Sequence, residues 1–211
     1  LMNIIMKDKI IGIVAKIMID NIDTDQIIPT EFLKSIKKFG FGEFLFDGWR
    51  YQRDGDLDTP VKERGLQKDF ILNQQPFDKA KILLVGDNFG CGSSREHAVW
   101  ALRDFGIEAV ISTSFGDIFY NNCFKNSVLA IKLQSKDITK IESFIKHDPH
   151  QIIVSLVNKT IMAGKESITF NVEDSLINRI IHNQDDIDIT MKDAQRIKDF
   201  EANHLAVKPW L

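Results

Sequence analysis

The sequence is poor in the features that define several protein classes. It has only two cysteines, Cys91 and Cys123, in 211 residues. These are too few for a disulfide framework and too few to hold an iron–sulfur cluster without another chain. No apolar run reaches the roughly 18 residues of a membrane-spanning helix. Charges interrupt the apolar residues 1–13, and no small-residue cleavage site follows. We therefore expect neither signal peptide nor membrane anchor, and a cytoplasmic protein.

The sequence also lacks an excess of positive charge. Its 27 lysines and arginines stand against 30 acidic residues, for a net charge of −3. This balance argues against a nucleic acid or an anionic membrane as partner, although it permits a small anion at a locally positive site. Hydrophobic residues make up 44% and charged residues 27%, as in ordinary globular chains. We find no internal repeat or linker, so a single domain over residues 1–211 is expected.

Short apolar segments alternate with helical patterns through the middle of the chain. Such alternation is typical of βαβ units, and it predicts an α/β fold with a mostly parallel sheet flanked by helices. The predicted strands are residues 10–18, 82–85, 109–111 and 128–133, and the predicted helices are 95–105, 117–124 and 137–146. Further on, residues 152–157 and 167–172 flank turn-like Asn158 and Gly164. They predict a C-terminal antiparallel hairpin, followed by helical stretches near residue 176 and over 194–202.

Residues 39–58 form a segment that is rich in aromatic side chains but has no clear periodicity. Long irregular segments in compact domains are often functional. Two interpretations remain open for this one: its aromatic rings pack on the core, or it is a mobile lid over a site.

The most informative segment is residues 86–98, which reads GDNFGCGSSREHA at a predicted strand-to-helix junction. Its glycines allow the backbone to approach a ligand closely. Ser93 with Glu96 three residues later predicts a capping box at a helix start. Free N–H groups at such a start favour anions, and the planar fork of Arg95 suits a carboxylate.

Two interpretations of Ser93 follow from these residues alone. It acts as a base or nucleophile, because neighbouring donors and Arg95 favour its deprotonated form. Alternatively, Ser93 and Glu96 only cap the helix while Arg95 forms a surface ion pair. The segment is neither a Walker A loop, which needs Gly-Lys-Ser/Thr, nor a Gly-x-Ser-x-Gly nucleophile elbow.

Four ordered motifs resemble one known family. They are NIDTDQIIP at 21–29, the Phe-Gly, Leu-Phe and Trp-Arg pairs within 41–50, NFGCGSSREHA at 88–98 and SFGDIF at 114–119. Together they resemble the swivel domain of the aconitase superfamily, and within it the small subunits of 3-isopropylmalate dehydratase. The resemblance is strong over residues 12–133 and weaker beyond. It implies a swivelling β/β/α domain.

The resemblance also implies a chemistry and a partner. A separate large subunit would hold a [4Fe–4S] cluster through three cysteines, and its open iron would bind the substrate as a Lewis acid. Ser93 would remove the proton next to a carboxylate, while Ser94 and Arg95 bind substrate carboxylate. Thr24 and Asp25 match positions near the active site, Asp25 in a polar supporting role. The implied reaction interconverts 2- and 3-isopropylmalate, a 2-hydroxy dicarboxylate and its isomer, in leucine biosynthesis, within a heterodimer.

Other candidate residues have simpler interpretations. We expect Cys91 to be a small residue of the loop rather than a cluster ligand. We expect His97 to pack or orient rather than transfer protons. His147 and His150 have a spacing found in metal sites, but Pro149 separates them and no third ligand is evident, so a solvated loop is expected.

The sequence departs from the family at two places. Residues 175–184 lack the family's paired arginines and its turn glycine, and Phe39 replaces a threonine. These changes leave Ser93 untouched but open two alternatives. One is a small subunit acting on a related acid of the homoaconitate or methylmalate type. The other is a non-catalytic anion-binding module.

Overall fold

The structure is a computed structural model that describes residues 7–34, 39–146, 151–184 and 186–208. Its strands form one seven-stranded mixed sheet of order β4-β3-β2-β1-β5-β6-β7. The α/β class predicted from the sequence is confirmed. The possible metal pair His147 and His150 lies outside the described residues. Within the described residues, no helix is long and apolar enough to cross a membrane.

Four parallel strands form one half of the sheet: β1 (Lys9–Ile17), β2 (Ile82–Val85), β3 (Ala109–Ser112) and β4 (Leu129–Lys132). Every residue of β2 and β3 is buried, as expected for strands covered on both faces. The parallel arrangement brings the carboxyl ends of β1, β2 and β3 to one edge, where ligands of open α/β sheets usually bind.

The C-terminal half of the sheet is antiparallel. It consists of β5 (Gln151–Ser155), β6 (Thr160–Ala163) and β7 (Glu166–Thr169). The predicted antiparallel unit is confirmed, but its two predicted strands do not pair with each other. The segment between the two turn signals is itself the strand β6, and it pairs with both neighbours.

Eight α-helices occur among the described residues. Two are single turns, α1 (Thr24–Ile27) and α2 (Asp47–Arg50). The longer helices of the parallel half are α3 (Glu96–Phe105), α4 (Asp117–Lys125) and α5 (Ser135–Ile145). The chain continues after the sheet through α6 (Asp174–Ile181), α7 (Asp186–Met191) and α8 (Ala194–Val207). No residue of α7 or α8 is buried, so these two helices add nothing to the core.

The aromatic segment 39–58 packs on the core, which supports the first of its two interpretations. Phe41 and Phe46 are buried. The carboxylate of Asp104, in the last turn of α3, accepts from the backbone N–H groups of Gly40 at 2.7 Å and Phe41 at 3.1 Å. Phe39 is the exception, because 71% of it remains exposed.

Candidate active site

A loop over residues 86–95, here called the serine loop, follows β2 at the carboxyl edge of the parallel strands. Its first half lies against the segment that follows β1. Backbone hydrogen bonds join Asn21 N to Asp87 O at 2.8 Å and Gly90 N to Ile22 O at 2.7 Å. A β-bridge between Asp23 and Cys91 continues the contact. The segment after β1 therefore forms one wall that holds the loop.

The segment after β3 forms the opposite wall. Phe89 N donates to Ser114 O at 3.2 Å, and Gly116 N donates to Phe89 O at 3.0 Å. The hydroxyl groups of Thr113 and Ser114 both donate to Oδ1 of Asp87. These two bonds lower the pKa of Asp87, that from Ser114 most strongly. The loop is thus clamped between two neighbours by backbone and side-chain bonds.

Close packing explains two glycines of the serine loop. A Cβ at Gly86 would lie 2.3 Å from the carbonyl oxygen of Ile19. Gly90 has a φ of +73°, and a Cβ there would lie 2.2 Å from Cγ of Phe119. Only glycine satisfies both the left-handed backbone and the contact with the ring.

Thr24 holds the backbone of the catalytic candidate. Its N–H donates to Cys91 O at 3.0 Å. Its hydroxyl donates to the carbonyl of Ser93 at 3.2 Å. Thr24 is only 1% exposed, so its side chain lies beneath the loop rather than on the open surface.

The open surface itself carries Ser93 and Ser94, both exposed. Arg95 beside them is largely covered, with 18% of its side chain exposed. Its Nη1 forms a short ion pair with Oδ1 of Asp25, which also accepts a hydrogen bond from the hydroxyl of Thr30 at 2.7 Å. The bond from Arg95, followed by that from Thr30, lowers the pKa of Asp25. The structure therefore brings the five predicted site residues, Thr24, Asp25, Ser93, Ser94 and Arg95, into one place.

The predicted capping box at Ser93 and Glu96 is wrong. Helix α3 begins at Glu96, and Arg95 occupies the capping position without a side-chain cap. Arg95 N donates to Ser93 O at 2.9 Å, while the Glu96 carboxylate accepts from the side-chain amide of Asn126 at 2.8 Å. Ser93 stands too early to cap the helix, so its hydroxyl remains available. A capping box does occur at α1, between Asp23 and Gln26.

His97 and Cys91 behave as expected from the sequence. The His97 ring contacts Phe41 edge-on at 5.4 Å and lies 4.5 Å from the Trp100 ring. Burial lowers the pKa of His97. The Cys91 thiol donates weakly to Asn21 O at 3.6 Å, which suits a small residue filling the loop.

The described part of the chain does not offer a cluster site of its own. Among those residues, no group of three or more histidine, cysteine or acidic side chains is arranged to hold a metal ion. Cys123 is fully buried, and this burial raises the pKa of its thiol well above the usual value. The described residues therefore do not fit an iron–sulfur cluster.

Ser93 and Ser94 lie on an exposed face of the serine loop. A cavity of about 970 Å³ lies by Asp104 and Phe105, in the last turn of α3. Its lining also includes Phe41, whose ring contacts His97 in the first turn of the helix. The hydroxyl groups of Ser93 and Ser94 and the guanidinium of Arg95 can together bind a carboxylate. Because the two serines are exposed, a second protein surface can approach the bound group.

Sequence reasoning missed two contributors to this arrangement. Thr30 fixes Asp25, and the Asp87–Ser114 pair fixes the serine loop. Ser114 stands in the motif 114–119, but nothing in that motif singles out a hydroxyl partner for Asp87. Thr30 follows the motif 21–29 directly and carries no signal beyond that position.

Comparison with known proteins identifies the family. A family model of the aconitase C-terminal domain matches residues 3–136. The chain is 47% identical to the 3-isopropylmalate dehydratase small subunit of Nitrosomonas eutropha over 202 residues, 95% of each chain. The chain belongs to the family of 3-isopropylmalate dehydratase small subunits. The corresponding protein of Marinobacter nauticus is 46% identical over 95% of this chain and 94% of its own length.

Two further comparisons agree with this family. A model of the C-terminal domain of the 3-isopropylmalate dehydratase small subunit matches residues 186–211, which include α7 and α8. The crystal structure of 3-isopropylmalate dehydratase (leuD) from Methanocaldococcus jannaschii is similar in fold. Its TM-score is 0.61 at 25% identity, over 92% of this chain and 99% of that one. The resemblance inferred from the four motifs is confirmed. The departures at residues 175–184 are therefore sequence variation in a chain that belongs to the family.

Proposed function

We propose that this chain is the small subunit of a 3-isopropylmalate dehydratase. In leucine biosynthesis the enzyme interconverts 2- and 3-isopropylmalate by dehydration and rehydration, and it is active only with its large subunit. The observation that carries the proposal is the pair of exposed hydroxyl groups of Ser93 and Ser94 beside Arg95, on a loop clamped at the carboxyl edge of the sheet. The substrate is inferred from membership of the family of 3-isopropylmalate dehydratase small subunits.

Ser93 is the proposed base. Its oxygen takes the proton from the carbon next to a carboxylate during dehydration and returns a proton during rehydration. The start of α3 lies three residues on and supplies positive dipole character. Arg95, two residues after Ser93, adds a guanidinium whose charge is partly balanced by its ion pair with Asp25. The helix start and the guanidinium both favour the deprotonated serine oxygen, and both stabilise the negative charge that develops in the transition state.

Ser94 and Arg95 are proposed to hold a substrate carboxylate. The guanidinium has five N–H donors, of which Nη1 contacts Asp25. The remaining donors suit a second, bidentate carboxylate. Thr24 acts from beneath, by fixing the carbonyl of Ser93, while Asp25 supports Arg95.

The partner and the cluster follow from the open face. A large subunit that holds the [4Fe–4S] cluster would cover the exposed serines and complete the site as a heterodimer. The described residues of this chain do not fit a cluster, which supports its placement on the partner. Both cysteines are free thiols, which suits the reducing cytoplasm as location.

The test compares Ser93→Ala with Ser143→Ala in the complex with the large subunit, kept anaerobic. Ser143 is an exposed serine of α5 whose hydroxyl bonds its own helix, to Thr139 O at 2.7 Å. We expect Ser93→Ala to lower kcat by about 10²–10⁴-fold, the usual contribution of a positioned base. Ser143→Ala should leave kcat unchanged, and both variants should assemble normally. Retained turnover in Ser93→Ala would remove Ser93 as the base.

A related substrate is the second candidate. It is favoured by Phe39, which departs from the family and stands 71% exposed. Parallel assays of the wild-type complex with 3-isopropylmalate, homoaconitate and a methylmalate distinguish the substrates. Turnover of another acid alone would keep the mechanism and change the substrate. Absence of turnover with all three, despite an intact cluster, would favour a non-catalytic module.

A further inference from the structure

One carboxylate oxygen beside the site serves two partners. Oδ1 of Asp25 forms the short ion pair with Arg95 Nη1 and accepts the hydroxyl of Thr30 at 2.7 Å. Asp25 and Arg95 are separated by 70 residues in sequence, so this oxygen joins the segment after β1 to the start of α3. Thr30, Asp25 and Arg95 therefore form one continuous series of contacts.

The two ends of this series of contacts belong to regular elements, whereas the carboxylate between them is exposed. Thr30 opens a 3₁₀ turn, Thr30–Lys34, which is fixed to the core by the buried Phe32. Arg95 stands at the start of α3. Asp25 between them has 52% of its side chain exposed. Water competes for such a carboxylate, so a second fixed donor restricts its orientation.

The orientation of Asp25 decides the orientation of Arg95. A guanidinium is planar, so fixing Nη1 against one carboxylate also directs its other donors. Arg95 follows the exposed Ser93 and Ser94 directly in the chain, so its guanidinium lies close to both hydroxyl groups. A free Arg95 would lose rotamer entropy on binding substrate, whereas a held Arg95 loses less.

We propose that Thr30 is a positioning residue of the substrate site, which acts through Asp25 to hold Arg95 ready for a substrate carboxylate. This inference rests on the proposed function of the serine loop. The side chain of Thr30 carries no charge. Removing its hydroxyl would therefore change the direction of the Arg95 donors without changing the net charge of the site. The donors that Thr30 directs hold a carboxylate that does not react, so their misalignment weakens ground and transition states alike, while the charge of Arg95 stays in place.

Three variants of the full chain, assembled with the large subunit, test the role. Thr30→Val removes the hydroxyl, Thr30→Ser keeps it, and Thr59→Val is the matched control. Thr59 Oγ1 also donates to an aspartate, Asp56, at 2.7 Å, in an exposed turn. We expect Thr30→Val to raise KM by about two- to tenfold with kcat within about twofold, as for the loss of one hydrogen bond. Thr30→Ser and Thr59→Val should stay near wild type.

A second readout needs no turnover. Carboxyl ¹³C NMR of the isolated chain follows the pKa of Asp25, which Arg95 and Thr30 lower. Thr30→Val should raise this pKa toward its ordinary value, and Thr59→Val should instead raise that of Asp56. An altered Asp25 pKa with an unchanged KM overturns the positioning role and leaves the proposed function standing. An unchanged Asp25 pKa in Thr30→Val would show that the hydrogen bond from Thr30 to Asp25 does not form, which also overturns the positioning role. No turnover by the wild-type complex overturns the proposed function and, with it, the role of Thr30.

Discussion

Gly90 provides the sharpest test of how the serine loop is built. Replacing it by alanine adds one methyl group, 2.2 Å from Cγ of Phe119, to a backbone with a φ of +73°. The left-handed backbone costs alanine about 1 kcal/mol. The contact with a buried ring adds an overpacking cost of about 1–3 kcal/mol. We therefore expect Gly90→Ala to lower the free energy of unfolding by about 2–4 kcal/mol.

Gly106 offers a matched control for the backbone term. It has a φ of +112° and no atom within 4 Å of an added Cβ. Gly106→Ala should cost about 1 kcal/mol, or about 2–4 °C in Tm for a chain of this size. Gly90→Ala should lower Tm by about 5–15 °C in the same thermal unfolding experiment. In the complex, displacement of the serine loop by even about 1 Å should reduce kcat by about 10²-fold.

A double-mutant cycle shows whether the ring is responsible. Phe119→Leu removes the ring that an alanine at Gly90 would meet, so the double variant should lose less stability than the sum of the single variants. Additive losses, or equal losses for Gly90→Ala and Gly106→Ala, would refute the packing argument. The loop would then tolerate a side chain where the structure leaves no space for one.

The remaining predictions concern a buried ion pair, the two thiols and the support of the serine loop. Asp47→Ala should lower the free energy of unfolding by about 3–5 kcal/mol in denaturant titrations, because it leaves the 1%-exposed Arg64 without its carboxylate; a loss below about 1 kcal/mol contradicts this. Iodoacetamide at about pH 8 should alkylate Cys91 in the folded chain and Cys123 only after unfolding, as mass spectrometry would show; equal labelling rates would be inconsistent with the burial of Cys123. Thr24→Val should cost about 0.5–1.5 kcal/mol by removing one of the two donors to the Ser93 carbonyl, and Thr24→Ser should restore most of it; equal losses in both variants argue against the hydroxyl.

The parallel half of the fold was readable from sequence because its strands are continuous apolar runs. The predicted strand 82–85 coincides with β2, and the predicted helix 95–105 differs from α3 by one residue. The strand β6 was missed, since its four residues lie between two turn signals and carry only a weak alternation. Its identity as a strand comes from pairing with both β5 and β7.

The candidate site was predictable from its motifs, but its internal contacts were not. Ser93, Arg95 and Asp25 stand in motifs that resemble a known family. The ion pair between Arg95 and Asp25 spans 70 residues, and no local periodicity specifies such a pair. The predicted capping box was wrong because α3 begins at Glu96, and the Glu96 carboxylate accepts a hydrogen bond from Asn126, 30 residues away.

The most direct test of the central claim is an anaerobic assay of this chain with its co-expressed large subunit. The absorbance of the alkene intermediate is followed with 3-isopropylmalate, with each of the two chains alone as control. The account predicts turnover of 3-isopropylmalate by the pair and none by this chain alone, because the exposed Ser93 face needs a second surface. Turnover by the isolated chain, or none by a pair with an intact cluster, would contradict it.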